Sequence, residues 1–441
     1  MGGGRQRNRV GRALNNPGNS TGSDAEINHE TKKGRKMKEK RELWIQEGGW
    51  WTSLLNYLPA VRRNFSLPGR VIIHDATLRD GEQTPGVVFR KEEKVAMAKA
   101  LDAIGVDRIE AGMPAVSPED MEAVGEIVKL KLKAKIMVFS RAMPADIDNA
   151  VKCGVWGVVL EVPSGVPRLK YQYNWSQEEV IERSIEAIRY AKEKGLYVCF
   201  FPFDGSRAEI SFYRKLVREV TKKSRPDSIT LVDTTGCILP AAVKYWVREV
   251  KKIADLPVEI HTHNDFGMSA ASTLAAVEAG AEAVHVCVNG LGERCGNAAL
   301  EEIVVDLRTL LGIPLDHIRF DRLPELCRMV RDYAGVRTAD NKPIVGDLAF
   351  TRESGMGMDV FRKEPRVAFA VHPEFVGRRL DLVLGKKSGR PSIKMKLEEL
   401  GVQASDEQIA ELLVKVKQKG TEKKGFLSDD EFKAILRETL K

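Results

Sequence analysis

This sequence lacks closely spaced cysteine pairs and long apolar runs. It also lacks a basic stripe in the part of the chain that shows apolar periodicity. The six cysteines contain no Cys-x-x-Cys pair, which argues against a disulfide framework and a structural zinc ribbon. No apolar run approaches the ~20 residues that span a bilayer, and the N-terminus lacks the apolar core of a secretory signal. We therefore expect a cytoplasmic protein with no membrane partner.

The net charge of +8 is concentrated near the N-terminus. The first 42 residues hold 11 Lys and Arg against 5 Asp and Glu, so the rest of the chain is nearly balanced and no nucleic-acid partner is expected. Residues 1–43 are rich in Gly, Asn, Ser and basic residues without apolar periodicity, which predicts a disordered basic tail. An organelle transit peptide is an alternative reading, weakened by the acidic residues between positions 24 and 30.

Apolar periodicity begins near residue 70. Eight strand-like runs alternate with helical patterns at about thirty residues per unit, which predicts a (β/α)8 TIM barrel, with a doubly wound open sheet as the alternative. The glycines at 105, 154, 195 and 280 fall where helices should end. The predicted strands are Val71–Leu78, Val106–Met113, Ala134–Ser140, Val155–Val162, Tyr197–Phe203, Ser228–Asp233, Val258–His263 and Ala283–Asn289.

The barrel is predicted to occupy residues 70–312. Before it, residues 44–69 form a short helical extension, with a turn of helix between Trp50 and Arg62. After it come a linker or first subdomain at residues 313–395 and a small helical subdomain at residues 396–441. In that subdomain, Ser405–Lys419 and Ser428–Leu440 read as two helices opened by Ser-Asp caps.

A barrel collects reactive groups at the carboxyl ends of its strands, because all eight ends open onto one face. Polar residues follow every predicted strand here. A single one reads as a helix cap or a turn, but eight in succession are hard to explain in that way. The strand-end residues include Arg79, Asp80, Gln83, Glu110, Arg141, Glu161, Ser164, Asp204, Thr234, His261, His263 and Asn297.

The run Val-Glu-Ile-His-Thr-His-Asn-Asp at 258–265 alternates as a strand does. His261 and His263 therefore share one face, and Glu259 continues that face backwards. A lone histidine is more often a core residue than a ligand. Two imidazoles presented together form half of a site for a first-row metal.

Four motifs carry a family resemblance: Arg79-Asp-Gly-Glu-Gln83, His261-x-His263-x-Asp265, Gly-Leu-Gly-Glu293-Arg294-x-Gly-Asn297 and Leu384-Gly-Lys-Lys-Ser-Gly-Arg390. They occur in family order over roughly residues 70–400. The sequence resembles the isopropylmalate, homocitrate and citramalate synthases of the DRE-TIM metallolyase superfamily. That resemblance implies a divalent cation (Mg, Mn, Zn or Fe) held by four ligands: Asp80, His261, His263 and Asn297.

The resemblance also implies an acyltransferase of amino-acid and carboxylic acid metabolism. It would condense an acyl-CoA, most simply acetyl-CoA, with a 2-oxo acid to give a 2-alkylmalate-type product. Arg79 would stabilise the developing alkoxide or enolate oxygen. The remaining implied residues are Thr234 at the 2-oxo acid carboxylate and Gln83, Glu110, Arg141 and Ser164 around the substrate. The linker of the family often reaches a second subunit, so a homodimer is expected.

Two departures from the family pattern concern acid–base chemistry. A glutamate usually ends the fifth strand, where this chain has Phe203 followed by Asp204. The linker run His-Glu-Ser-Gly-x-His is replaced by Arg352-Glu-Ser-Gly-Met-Gly357. Condensation needs a base to take the α-proton of the thioester. We expect Asp204 to serve, with Glu161 as the alternative.

Three functions stay open at this point. The first is the synthase. The second is a metal-dependent carbon–carbon lyase or aldolase at the same site, for which Cys295 beside the ligands deserves a test. The third is a barrel that binds a metabolite without turnover. The chain ends without a segment long enough for the amino-acid-sensing domain of the family, so we expect no feedback inhibition through such a domain.

Overall fold

Eight parallel strands close into a barrel in the computed structural model, which describes residues 42–355 and 357–440. The last strand pairs with the first, Val284 opposite Ile73. The predicted TIM barrel is therefore confirmed, and the open-sheet alternative is wrong. The barrel strands are β3 (Ile72–Asp75), β4 (Arg108–Glu110), β5 (Lys135–Arg141), β6 (Gly157–Pro163), β7 (Tyr197–Phe203), β8 (Ser228–Asp233), β9 (Val258–Thr262) and β10 (Ala283–Val286).

Helices on the outside of the barrel bury their apolar faces against the strands. Gly105 ends α2 with a positive φ of 100°, and a Cβ there would lie 2.4 Å from the carbonyl oxygen of His317, so glycine is required. Among the described residues, no helix is long and apolar enough to cross a membrane. The helices between strands are α2 (Lys91–Ile104), α3 (Pro118–Lys129), α4 (Pro144–Cys153), α5 (Val166–Arg168), α6 (Gln177–Glu193), α7 (Ile210–Lys223), α8 (Pro240–Ile253) and α9 (Ser269–Glu278), with α10 (Leu300–Asp306) after β10.

The predicted strands run past the carboxyl ends of several real ones. The run Val106–Met113 contains only the three residues of β4, and the chain turns soon after it, where Gly112 adopts φ 142°. Apolar residues continue beyond such a turn because the loops are buried against the barrel. Alternation alone therefore marks each strand but not its end.

The segment before the barrel contains two short strands and one short helix: β1 (Ile45–Gln46), β2 (Trp50–Trp51) and α1 (Pro59–Arg62). A 3-10 turn at Leu54–Tyr57 precedes α1, and the hydroxyl of Tyr57 donates to the carbonyl of Thr309 at 2.7 Å. The backbone of Trp51 donates to Ala370, so this segment also touches the chain that follows the barrel. The predicted basic tail lies outside the described residues, apart from its last two positions.

Beyond the barrel, a small apolar core collects residues from the last three helices. It includes Leu384 and Ile393, which precede the predicted boundary at residue 396. We therefore propose that this subdomain begins near residue 384. Both predicted serine caps are present, since Ser405 and Ser428 accept bonds from the backbone three residues later. The elements after the barrel are α11 (Leu323–Ala334), β11 (Thr351–Arg352), α12 (Met358–Lys363), β12 (Asp381–Leu382), α13 (Arg390–Glu399), α14 (Asp406–Lys423) and α15 (Asp429–Thr439).

Candidate active site

Three predicted metal ligands converge inside the barrel mouth. Asp80 lies in the turn after β3, His261 lies in β9, and His263 follows β9 directly. The Nε2 atoms of the two histidines are 3.3 Å apart and lie 3.1 and 3.7 Å from Oδ2 of Asp80. All three side chains are at most 5% exposed.

Asn297, the fourth predicted ligand, is brought to this cluster by a backbone bridge to His263. Its Nδ2 donates to the carbonyl of Leu291 at 3.0 Å, which fixes the amide and turns Oδ1 away from that bond. The Oδ1 atoms of Asn297 and Asp80 are buried and find no partner among the described residues. A Cβ on Gly292 would lie 2.1 Å from the Asn297 amide, so this loop needs glycine.

The charges in the cluster suit a cation. Burial by itself raises a carboxyl pKa, but Arg79 and hydrogen bonding to His261 hold the pKa of Asp80 well below its usual range. Burial lowers the pKa of His263 to about 4 and also lowers the pKa of His261. At neutral pH the cluster therefore presents one carboxylate and two neutral imidazoles, whose free nitrogen lone pairs can bind a metal.

Arg79 is held in place from below. Its Nε donates to Oε1 of Glu110 at 2.5 Å, its Nη2 donates to Oε2 at 3.4 Å, and its guanidinium lies 4.2 Å from the ring centre of Phe139. His74 contacts the same carboxylate at 3.3 Å. Against the raising effect of burial, Arg79 and His74 lower the pKa of Glu110 to about 2. Glu110 thus positions Arg79, whereas the family resemblance implied that Glu110 lies around the substrate.

Glu161 lies in β6, two residues before its last residue, Pro163, and is partly buried. Its carboxylate has no hydrogen bond or ion pair within the described ranges. Burial raises the pKa of Glu161 to about 7, while Arg79, Arg168 and Arg141 act to lower it and Glu293 acts to raise it. An unpaired carboxylate with a pKa near neutrality is suited to take up and release a proton.

Asp204, which we predicted as the base, is fully buried and already paired. Its carboxylate accepts from Nε and Nη2 of Arg207 at 2.7 and 2.8 Å, and its backbone has a φ of 60°. Its backbone N–H donates to Oγ1 of Thr234. Phe203 beside it joins an apolar cluster inside the barrel and lies 6.2 Å, centre to centre, from Tyr173. The structure therefore favours Glu161 over Asp204 as the base.

Three other predicted substrate residues already have hydrogen bonds or ion pairs within the protein. Ser164 is buried, and its hydroxyl donates to the backbone carbonyls at the end of β7. Arg141 forms a two-point ion pair with Asp146. Gln83 is exposed and accepts a long bond of 3.4 Å from Arg79. Of these three residues, Gln83 contacts Arg79, and within the described part of the chain neither Ser164 nor Arg141 forms a hydrogen bond or ion pair with Arg79 or the ligand cluster.

The linker run that replaces the family motif packs on another motif. Oε1 of Glu353 accepts from the backbone N–H of Lys387 at 2.9 Å, and its Oε2 lies 3.2 Å from the Lys387 ammonium. Gly355 approaches Gly389 so closely that a Cβ would lie 2.6 Å from its Cα. Glu353 is thus committed to this contact and does not replace the missing linker histidine.

A second polar cluster beneath the first was not predicted. His285 contacts Glu259 at 2.8 Å, and its ring stacks on His74 at 4.0 Å with 13° between the planes. Ligand atoms of His74, Glu259 and His285 lie within 4.8 Å of one another, so this group too could hold an ion, and each histidine already contacts a buried carboxylate, that of Glu110 or Glu259. The signal available in the sequence was Glu259, two residues before His261 on the same strand face.

Known protein families match both the barrel and the region that follows it. The HMGL-like family matches residues 70–330, and the homocitrate synthase post-HMGL domain-like family matches residues 344–424. Homocitrate synthase AksA of Methanopyrus kandleri is 41% identical over 384 residues, 87% of this chain and 96% of that protein. (R)-citramalate synthase CimA of Methanocaldococcus jannaschii is 41% identical over 83% of this chain and 74% of that protein.

Further matches agree with these. The 2-isopropylmalate synthase of Methanocaldococcus jannaschii is 39% identical over 86% of this chain and 73% of that protein. Among solved structures, the HMG-CoA lyase of Bacillus subtilis superposes with a TM-score of 0.56 at 19% identity, covering 62% of this chain and 96% of that one. At that identity, the likeness to the lyase concerns the fold alone.

Proposed function

The chain belongs to the HMGL-like family, in the branch that holds the homocitrate, isopropylmalate and citramalate synthases, and on this premise we propose that it is an acyltransferase that condenses an acyl-CoA with a 2-oxo acid. Acetyl-CoA is the proposed acyl donor, and the product is a 2-alkylmalate-type acid of amino-acid biosynthesis. The homodimer and the cytoplasmic location remain predictions.

One observation carries this proposal: Asp80, His261 and His263 converge beside the buried Oδ1 of Asn297, which has no hydrogen-bond partner in the described part of the chain. One carboxylate, two neutral imidazoles and one amide oxygen form a donor set that fits a divalent cation. We propose that these four residues hold it. When bound, such an ion supplies a Lewis acid that polarises the ketone of the 2-oxo acid.

Arg79 is proposed to stabilise negative charge as the carbon–carbon bond forms. Its Nη1 lies 3.5 Å from Oδ2 of Asp80, so the guanidinium borders the proposed ligand cluster. The hydrogen bonds to Glu110 keep the Arg79 guanidinium oriented. It can therefore stabilise a developing alkoxide without first rearranging. Lysine lacks the planar fork that makes this two-point contact.

Glu161 is proposed as the base. In its ionised form it accepts the α-proton of the thioester, and the resulting carbanion equivalent attacks the polarised ketone. The alkoxide that forms takes up a proton from water, and a water molecule then hydrolyses the thioester, which releases the CoA thiol and leaves a second carboxylate on the product. The pKa of about 7 allows Glu161 to be ionised in a useful fraction of molecules at neutral pH.

Thiol release from acetyl-CoA tests this function. Metal-loaded protein is incubated with pyruvate, 2-oxoisovalerate, 2-oxoglutarate or oxaloacetate. The Asp80→Ala variant serves as the blank, and Asp316→Ala, an exposed acid outside the site, serves as the matched control. We expect release that depends on one oxo acid, that persists in Asp316→Ala and that is lost in Asp80→Ala. Silence with all four acids from protein that holds metal would contradict the proposal.

Two features favour a lyase as the second candidate. Phe203 stands where the family has its glutamate, and Cys295 is exposed two residues before Asn297. In the lyase reaction, the same cluster would cleave a hydroxyacyl thioester or hydroxy acid. Release of a 2-oxo acid or acetyl-CoA from such compounds, lost in Cys295→Ser, would support this reading. Equal rates in Cys295→Ser and the unchanged protein would show that Cys295 takes no part in a lyase reaction.

A further inference from the structure

A cavity of about 690 Å³ lies at the end of the barrel where the strands begin, opposite the candidate active site. Its volume falls in the range of roughly 300–1,000 Å³ that is common for small-molecule sites. The chain segments that open β3, β4, β5 and β6 line it, and Trp156 supplies a flat wall, stacked on Tyr197 at 4.2 Å.

The charge of this cavity is mainly positive. The Asp107 carboxylate forms an ion pair with Arg70 and accepts a hydrogen bond from a backbone N–H. The Asp102 carboxylate also accepts a hydrogen bond from a backbone N–H. Lys133 and Lys135, two residues apart at the start of β5, have no ion-pair partner within residues 42–355 and 357–440. The charged lining residues are Arg70, Arg108, Lys133, Lys135 and Arg319 on the positive side and Asp102 and Asp107 on the negative side.

Arg108 links the cavity to the barrel interior. It is only 9% exposed, its Nη1 lies 2.7 Å from Oε1 of Glu259, and its Nη2 donates to the hydroxyl of Tyr197 at 3.0 Å. Glu259 is fully buried and also contacts His285 through its other oxygen at 2.8 Å. The carboxylate is thus shared between a residue of the cavity and the buried histidine pair.

The same contacts continue to the candidate active site. His285 stacks on His74, His74 contacts Glu110 at 3.3 Å, and Glu110 holds Arg79. Every residue in this series is at most 9% exposed. Charges in such a water-poor interior interact more strongly than at the surface, because little solvent screens them. A change of charge beside Arg108 therefore alters the field along the whole series.

We propose that this cavity is an effector site for a small multivalent anion, a polycarboxylate or a phosphate, that binds to Lys133, Lys135 and Arg108. A bound anion competes with Glu259 for the Arg108 guanidinium. The altered charge at Glu259 then reaches Arg79 through the histidine pair and Glu110. The binding site stands independently of the catalytic function, whereas the effector role rests on the proposed function.

Isothermal titration calorimetry of the full-length, Mg²⁺-loaded protein tests the binding site. Tricarballylate and inorganic phosphate are titrated separately in ~0.15 M NaCl, where the Debye length of ~8 Å weakens unspecific attraction. We expect saturable binding of at least one anion. In the double variant Lys133→Ala, Lys135→Ala, the dissociation constant should rise at least tenfold. The preferred anion distinguishes a carboxylate ligand from a phosphate ligand.

The double variant Lys417→Ala, Lys419→Ala is the matched control, since both lysines are exposed, equally spaced and remote from the barrel cavity. It should bind as the unchanged protein does. No binding of either anion to the unchanged protein would overturn the site. Equal binding by both double variants would do the same, because the anion would then lie elsewhere. Coinciding circular dichroism melting curves establish that the variants are folded.

The effector role is tested by thiol release with and without saturating anion. We expect kcat/KM to change at least threefold in the unchanged protein and to stay constant in Lys133→Ala, Lys135→Ala. An effect that persists in this variant arises at the catalytic centre and contradicts the effector role. Binding without any effect on kcat/KM contradicts it too. A complete lack of turnover would instead refute the proposed synthase, and calorimetry would still report on the site.

Discussion

Replacement of Glu161 by Gln removes the proposed base while keeping the size of the side chain. Because the carboxylate has no hydrogen bond or ion pair among the described residues, the amide breaks no observed contact. We expect turnover to fall by roughly 10²–10⁴-fold, the contribution of a positioned base. We also expect the folded protein to become more stable above pH 7, since burial penalises only the ionised carboxylate.

The size of the stability gain follows from the pKa. The folded protein holds the Glu161 proton up to a pKa of about 7, whereas the ordinary glutamate pKa is 4.5. Between these values the folded state binds more proton than the unfolded chain, so stability falls as pH rises. At ~1.4 kcal/mol per pKa unit, the full loss is roughly 3 kcal/mol. Solvent at the partly buried carboxylate reduces it to about 1–2 kcal/mol.

Urea unfolding of metal-free protein at pH 4.5 and pH 8 measures this difference. Glu161→Gln should match the unchanged protein at pH 4.5 and exceed it by about 1–2 kcal/mol at pH 8. Glu122→Gln is the control, because this carboxylate is 59% exposed, pairs with Lys91 and is not among the charges that shift the pKa of Glu161. An equal gain at both pH values, or a loss at pH 8, would refute the titration argument.

The pH dependence of turnover is a second test of Glu161 as the base. As a base, Glu161 must be ionised, so kcat/KM should rise with pH and level off above its pKa. A bound cation lowers that pKa, and the midpoint should therefore lie at or below about 7. Glu293→Gln removes a nearby negative charge and should move the midpoint to lower pH. A shift to higher pH would contradict the placement of the two carboxylates.

Three shorter predictions follow from the same contacts. His263→Ala should lose bound metal when assayed by mass spectrometry, while the exposed His317→Ala retains it; full occupancy in His263→Ala would remove this ligand. Asp204→Asn should lower stability by about 1–2 kcal/mol through its ion pair with Arg207 and leave kcat nearly unchanged, whereas a large fall in kcat would restore Asp204 as the base. Lys94→Met should destabilise the protein by roughly 2–4 kcal/mol in urea, because this buried ammonium joins two carboxylates; an unchanged midpoint would show that the pairs contribute nothing.

Local patterns in the sequence were sufficient for some of these assignments. The alternation at β9 placed His261 and His263 on one face. Ser405 and Ser428 cap their helices because a cap depends only on residues three apart. Barrel topology also brought Asp80 and Asn297 to the histidines, since strand ends of a TIM barrel share one face.

The roles proposed for single carboxylates depend on the groups that contact them in the fold. Asp204 stood nearest the expected glutamate, yet it pairs with Arg207, whereas Glu161 in β6 has no hydrogen bond or ion pair among the described residues. Glu110 looked like a substrate contact but holds Arg79. The spacing of Asp204 and Arg207 is visible in the sequence but does not show that they pair, and the contact of Glu110 with Arg79 depends on which strand ends the barrel brings together.

The sequence by itself determined the barrel, the His-x-His motif of the proposed metal site and the family of this protein, because these rest on periodicity and on short runs of adjacent residues. Only the tertiary structure decided that Asp204 is paired while the Glu161 carboxylate has no partner among the described residues, and that Arg108, Glu259 and the histidine pair connect the two ends of the barrel. The physical reason is that charge and burial belong to the folded interior, where residues from separate strands share one desolvated space.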